Sequence, residues 1–214
     1  MEAAPEKTRI TKLYLLVHPG FIAGPDVVND PSHLSQERID ESRILLDKYI
    51  NKAKNLNNDE VMVVFGYAKP DEFIRHQEND VMYAKYIKTL KEILGDRLIL
   101  IEGDIDPFEK ESFEKVVSIA TERGFLIDAD TLTEAFGESA QICVFNCAKN
   151  FNSTGNFHNE TVVDLDLTDL SNEKNPYPFL KHLIADSHNS ITKVVFRKKG
   201  KPVSPKQNWY NLFR

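Results

Sequence analysis

The sequence predicts a single α/β domain, a three-layer α/β/α sandwich around a mainly parallel, Rossmann-like sheet. Apolar runs of strand length alternate with amphipathic stretches of helix length, the pattern left by βαβ units. A chain of 214 residues is long enough for one full core and short for two. Parallel crossovers are right-handed, which makes the layered sheet the economical topology. The expected organisation is a flexible N-terminus over 1–11, one α/β domain over 12–196 and a basic, aromatic tail over 197–214.

The first strand is the run Leu13 to Val17, closed by His18-Pro19-Gly20, and Gly24, Pro25, Asp30 and Pro31 mark an irregular loop after it. Ser35 reads as an N-cap, with Ile39, Leu46, Tyr49, Ile50, Ala53 and Leu56 recurring at helical spacing up to Asn57-Asn58. Val61 to Phe65 is the second strand. A polar stretch from Gly66 to Asp80 precedes a helix with Tyr83, Tyr86, Ile87, Leu90 and Leu94 on one face, ended by Gly95. Arg97 to Ile101 is the third strand.

Asp106-Pro107-Phe108-Glu109 has the form of an N-cap, an N1 proline and a reciprocal capping Glu. It should open a helix carrying Phe113, Val116, Val117 and Ala120 that stops at Gly124. Phe125 to Ile127 fits either a short strand or a bridge. A turn at Gly137 leads into a helix from Cys143 to Phe151. Thr161 to Leu167 is a further strand, Pro176 to Asp186 a helix with Tyr177, Leu180, Leu183 and Ile184 as its stripe, and Lys193 to Phe196 the last strand.

Composition excludes several classes. Two cysteines four residues apart cannot staple a fold of this size, so a secreted disulfide scaffold is not expected. No apolar run approaches the roughly 18 residues of a membrane span, and the expectation is a soluble, cytoplasmic protein with no membrane partner. With only 9 glycines and no Walker or dinucleotide fingerprint, nucleotide-dependent catalysis is disfavoured and no cofactor is implied.

In open α/β sheets ligands sit outside the carboxyl ends of the strands, which directs attention to His18, Gly66 to Lys69, Glu102 to Asp106, Ser139 to Cys143 and Asp164 to Thr168. Within Gly137-Glu138-Ser139-Ala140-Gln141-Ile142-Cys143-Val144, a cysteine near the start of a helix faces unpaired N–H groups and the positive end of the helix dipole. Both favour the thiolate. The opposing reading is that Cys143 and Cys147, one turn apart, are small apolar packing residues.

This segment resembles the isochorismatase-like cysteine hydrolases, a family that includes nicotinamidases and carbamoyl-amide hydrolases. Their fourth strand leads to a Gly, then six residues on to a nucleophilic Cys followed by Val, with an Ala five residues after the Cys. Gly137, Cys143, Val144 and Ala148 fit that spacing. The likeness covers Leu13 to Val195, and its specific part is Gly137 to Ala148.

The resemblance implies hydrolysis of a C–N bond in a small amide, with Cys143 as nucleophile and backbone N–H groups around Ser139 to Cys143 stabilising the oxyanion. The family's general-base Asp at the end of the first strand is replaced here by Leu16-Val17-His18-Pro19-Gly20-Phe21. Its Lys after the third strand is replaced by Ile101-Glu102-Gly103-Asp104, and the usual Thr three residues before the Cys is Ala140. His18 is the candidate base in place of the Asp, because an unperturbed imidazole titrates near neutral pH. Phe21, Glu102, Ser139 and Ala140 are the candidate substrate-binding residues. The alternative is a catalytically inactive relative that binds a small ligand or a protein partner in the same cleft.

Two further clusters carry groups able to ligate a metal. Glu102, Asp104 and Asp106, with Asp164, Asp166 and Asp169, could hold Mg²⁺ for phosphoryl chemistry, although the same residues suit a helix cap and solvated loops. Asp71, His76 and Asp80 lie where metal-binding members of the resembled family place an Asp and His residues, but a single His is a thin ligand set, and no metal is assigned. The segment Thr192 to Arg214 holds seven basic residues and no acid, leaving 20 basic against 33 acidic residues elsewhere. Phe196, Trp209, Tyr210 and Phe213 are interleaved with them. Nucleic-acid contact through this tail is disfavoured because the rest of the molecule would repel it. An edge strand guarded by lysines, turning at Lys199-Gly200, is the simpler reading, and a homo-oligomer is open.

Overall fold

The computed structural model describes residues 7–19, 36–67, 77–102, 107, 109–138, 143–169, 177–189 and 193–204. The strands are β1 (Thr8–Arg9), β2 (Lys12–Val17), β3 (Glu60–Tyr67), β4 (Leu98–Glu102), β5 (Phe125–Leu126), β6 (Leu132–Gly137), β7 (Thr161–Thr168), β8 (Val194–Lys198) and β9 (Lys201–Pro202). The helices are α1 (Gln36–Lys54), α2 (Gln77–Leu94), α3 (Lys110–Glu122), α4 (Phe145–Gly155) and α5 (Tyr177–Asn189), with a 3₁₀ turn at Gly95–Arg97. A seven-stranded sheet runs β4-β3-β2-β6-β7-β8-β9. All its pairings are parallel except the antiparallel β8–β9 hairpin. Its six parallel strands thus have the doubly wound, Rossmann-like order, reversing direction between β2 and β6.

Both faces of the sheet are buried, and β2 shows why its sequence is a near-continuous apolar run. Leu13, Leu15 and Val17 join one cluster, with Val116 and Ala120 of α3, Phe145, Cys147 and Phe151 of α4, and Leu180 and Ile184 of α5. Tyr14 and Leu16 join the other, with Leu46, Tyr49 and Ala53 of α1 and Tyr86, Leu90 and Leu94 of α2. Glycines close the helices where the sequence places them, Gly95 after α2 at φ +55 and Gly124 after α3 at φ +80. No helix among the described residues is long and apolar enough to cross a membrane.

The structure differs from the sequence reading in four places. The central strand β6, LTEAFG, escapes detection because two of its five buried residues, Thr133 and Glu134, are polar and its leading Leu132 is exposed. Thr133 bonds to Thr161 hydroxyl-to-hydroxyl at 2.6 Å, and Glu134 accepts from Lys12 at 2.5 Å and Lys52 at 2.7 Å. Helix α3 begins at Lys110 with Glu109 as its N-cap residue, later than the Asp106-Pro107 signal predicts. Asn150 of α4 draws that start in by donating to the carbonyls of Pro107 (3.2 Å) and Glu109 (2.7 Å). Asp106 itself lies outside the described residues.

At the N-terminus, Thr8 and Arg9 pair with Phe125 and Leu126, and Ile10 is fully buried, so these residues are tied to the domain where flexibility was expected. At the other end, Lys199 (φ +50) and Gly200 (φ +69) make the predicted turn, a two-residue loop with both residues left-handed, as a tight hairpin requires. The sheet therefore continues through Pro202, six residues past the boundary expected for the tail. Trp209, Tyr210 and Phe213 lie outside the described residues.

Candidate functional site

The strand order reverses between β2 and β6, and at such a switch point the loops leaving the two strands diverge to opposite faces and open a crevice. The residues that close these two strands have unusual backbones. His18, directly after β2, is left-handed at φ +46, a conformation uncommon outside Gly and found at sites where the surroundings hold it. Its N–H donates to the carbonyl of Phe65 on β3 at 3.0 Å. Its imidazole lies on Gly66, where a Cβ would stand 2.3 Å from His18 Cδ2.

Gly137, ending β6, has φ +132 and lies so close to β2 that a Cβ would stand 2.1 Å from the carbonyl oxygen of Val17. Only glycine fits there. The next residue, Glu138, is buried at 2% exposure and donates its N–H to that same carbonyl at 2.9 Å. On the other side, Asp169 donates its N–H to the carbonyl of Gly137 at 2.9 Å. It gets there because β7 shifts register beyond Val163, so that Thr168 comes opposite Gly137. The ends of β2, β6 and β7 are thus laced together by main-chain bonds around one glycine.

Cys143 follows five residues after Glu138. It is half-buried, and with Val144 it forms a widened, π-type turn at the head of α4, an irregularity frequent at functional sites. Cys147 is fully buried in the core, and both thiols are free of disulfides. The sequence pair therefore divides into one cysteine at the rim and one inside the packing.

From the face covered by α1, Tyr49 reaches the same strand end. It is fully buried, its ring lies 5.6 Å from that of Phe136, and its hydroxyl has no hydrogen-bond partner among the described residues. Burial, reinforced by the nearby carboxylates of Glu138 and Asp169, pushes the phenol well above its ordinary range, so it stays protonated. Sequence reasoning counted Tyr49 as one apolar position of a helical stripe and did not weigh Glu138. The available signal was a glycine followed by an acid at the end of a strand.

Glu102 closes β4, the edge strand, three strands from β6 and therefore about 14 Å away across the sheet. The acid closest in sequence to Cys143 is Glu138. Phe21, Ser139, Ala140, Asp71, His76, Asp104 and Asp106, and the side chains of Asp80 and Glu102, lie outside the described residues. Asp164 and Asp166 belong to β7 and are engaged there. Asp164 accepts from the N–H of Asp166 at 2.9 Å, and burial raises its carboxyl above the usual range. Asp166 takes the N–H of Lys199 and pairs with the Lys198 ammonium at 3.3 Å. Among the described residues, no group of three or more His, Cys, Asp or Glu is arranged to hold a metal ion.

No family model matches the chain, and no curated protein matches it.

Proposed function

We propose that the chain is a divergent isochorismatase-like hydrolase, a three-layer α/β/α sandwich acting on a small amide with Cys143 as nucleophile and His18 as base. The observation that carries this reading is the left-handed His18, seated on Gly66 at the switch point, on the strand next to the one that leads to Cys143. A strained residue held in place by its surroundings at a strand end is where a catalytic group is expected. The free thiols suit a reducing, cytoplasmic setting.

In the proposed reaction His18 takes the proton from the Cys143 thiol, and the thiolate adds to the amide carbonyl carbon. Backbone N–H groups of the Ser139–Cys143 segment receive the oxyanion. On collapse the C–N bond breaks, and the imidazolium returns its proton to the departing nitrogen. Water, deprotonated by His18, then releases the acid from the thioester and regenerates the thiol.

The test is site-resolved alkylation by iodoacetamide across a pH series. Cys143 is expected to react with an apparent pKa well below the ordinary thiol value of about 8.5, while Cys147 stays protected in the core. Cys143→Ala should abolish turnover in an amide screen and keep the fold. Equal inertness of both cysteines would sink the nucleophile assignment. A second reading has one observation in its favour: the buried Glu138 lies in the segment that carries Cys143, and a carboxylate close to a thiol opposes thiolate formation. In that case the cleft binds a ligand or partner without turning it over, and saturable binding with no product in the same screen is the expected result.

A further inference from the structure

We infer that the sheet face over β7 and β8 that no described helix covers is an intramolecular docking surface, and that the basic, aromatic residues 205–214 pack across it. The inference goes beyond the proposed function and holds whether or not Cys143 is a nucleophile.

The two faces of the sheet are unequally covered toward the β8 side. On one face α5 places Leu180 and Ile184 in the same cluster as Val194 and Phe196 of β8. On the other, the cluster under α1 and α2 contains residues of β2, β3, β4 and β6 but none of β8. A row of cross-strand neighbours on this second face shows where the cover ends. From β3 to β8 it runs Met62, Tyr14, Glu134, Val162 and Val195. The first three are buried, whereas Val162 and Val195 are only half-buried. Val163, Val194 and Phe196, which point to the opposite face, are buried. Leu132, two residues before Glu134 and on its face of β6, is 45% exposed. Leu132, Val162 and Val195 thus form an apolar strip on a parallel sheet, an architecture whose faces are both covered as a rule.

The chain itself supplies an occupant. Strand β9 lies beside β8 at the margin of this half of the sheet, and the Val203 N–H bond to the Phe196 carbonyl brings Ser204 to the flank of β8. Residues 205–214 continue from there, with Trp209, Tyr210, Leu212 and Phe213, two basic residues and no acid. From β9 to β6 is three strand spacings, about 14 Å, well within the roughly 30 Å that ten residues can span. Trp209, Leu212 and Phe213 stand at i, i+3 and i+4 spacing, so one turn of helix can present all three to the same surface. Because α5 already occupies the other face of β8, the open face is where these side chains can leave water. Its polar groups match the segment as well. Arg197, exposed on this face, offers a guanidinium to an aromatic ring, and Asp164 opposite it offers a carboxylate to Lys206 or Arg214.

Trp209 is the sole tryptophan, so its fluorescence reports on this segment alone. In the full chain acrylamide should quench Trp209 several-fold less than in a free 205–214 peptide, and the protection should survive dilution. Deleting 205–214 should shift the methyl resonances of Val162 and Val195 and leave those of Val116, on the opposite face in α3, in place. Val116 thereby separates loss of the cover from loss of the fold. If the shortened chain unfolds, Trp209→Ala makes the same comparison at full length. Trp209 quenched as freely as in the peptide overturns the inference. So do Val162 and Val195 methyls that stay put when the cover is removed, because Trp209 then packs elsewhere. Protection lost on dilution overturns it too, and assigns the face to a second copy.

Discussion

At Gly66 two demands fall on one residue: a left-handed backbone and the absence of a side chain beneath an imidazole. Gly66→Ala is therefore expected to destabilise the protein by about 1–3 kcal/mol, the usual range for a strained position, measured by urea denaturation. The His18 ring must move as well, so its NMR titration should change. A Gly66→Ala variant with unchanged stability and unchanged His18 titration would mean that the ring is not held there. Tyr49 behaves in the opposite way. Removing a hydroxyl that has no hydrogen-bond partner among the described residues leaves no orphaned partner there, so Tyr49→Phe should be neutral or stabilising by up to about 1 kcal/mol. A loss larger than that would show that the hydroxyl has a partner. Both positions illustrate why the site was only half legible in the sequence. His18 and Cys143 stand out because their chemistry is unusual at a strand end and at a helix start. Tyr49 looks like any apolar position of α1, since periodicity records which face a ring occupies and not what its polar tip finds there.

Among the elements, β6 is the instructive failure and β2, β3, β4, β7 and β8 the successes. Strands β2, β3 and β4 are runs of branched and long apolar side chains, and β7 and β8 begin with apolar residues at alternately buried positions, patterns that can be read directly from sequence. Strand β6 instead buries Thr133 and Glu134, and these are stabilised by partners on other elements that no local pattern can announce. Glu134 is the acid most dependent on its neighbours. Burial opposes its charge, but Lys12 and Lys52 outweigh burial and hold its carboxyl below the ordinary range. Their ammonium groups also rest on the Tyr14 ring, at 4.7 and 4.9 Å from its centre. A carboxyl with a depressed folded pKa contributes stability that is present above its unfolded value, about 4.3, and lost as pH falls through the folded value. Glu134→Gln should remove that part of the acid dependence and cost about 2–4 kcal/mol at neutral pH, because two partly buried ammonium groups lose their counterion. Asp164 works against this trend, since burial raises its carboxyl and its charged form is the disfavoured one in the fold. An acid-denaturation midpoint identical in wild type and Glu134→Gln would contradict the assignment.

On the scale of the whole molecule, two cores share one sheet, and adjacent residues of β2 belong to different cores. Leu15 packs with α3, α4 and α5, and Leu16 with α1 and α2, both fully buried. Leu15→Ala and Leu16→Ala should each cost about 2–5 kcal/mol. Each should lower the midpoint of a single cooperative transition, followed by circular dichroism, because neither core can melt without exposing the strand that walls the other. Two separated transitions in either variant would show that the faces unfold independently.

The β8–β9 hairpin ends the sheet in a way that bears on how copies of this molecule can meet. Val203 turns its N–H inward to Phe196 at 2.9 Å, so the alternation of the strand turns the amide position of Pro202 outward, where proline has no hydrogen to offer. Lys199 and Lys201 add like charges along the same margin. A strand from a second molecule arriving at this margin would meet a missing donor and a repulsive fringe. Self-association by extending the sheet is therefore disfavoured at this margin, and the same arrangement guards the folded chain against open-ended, fibril-like growth from this side.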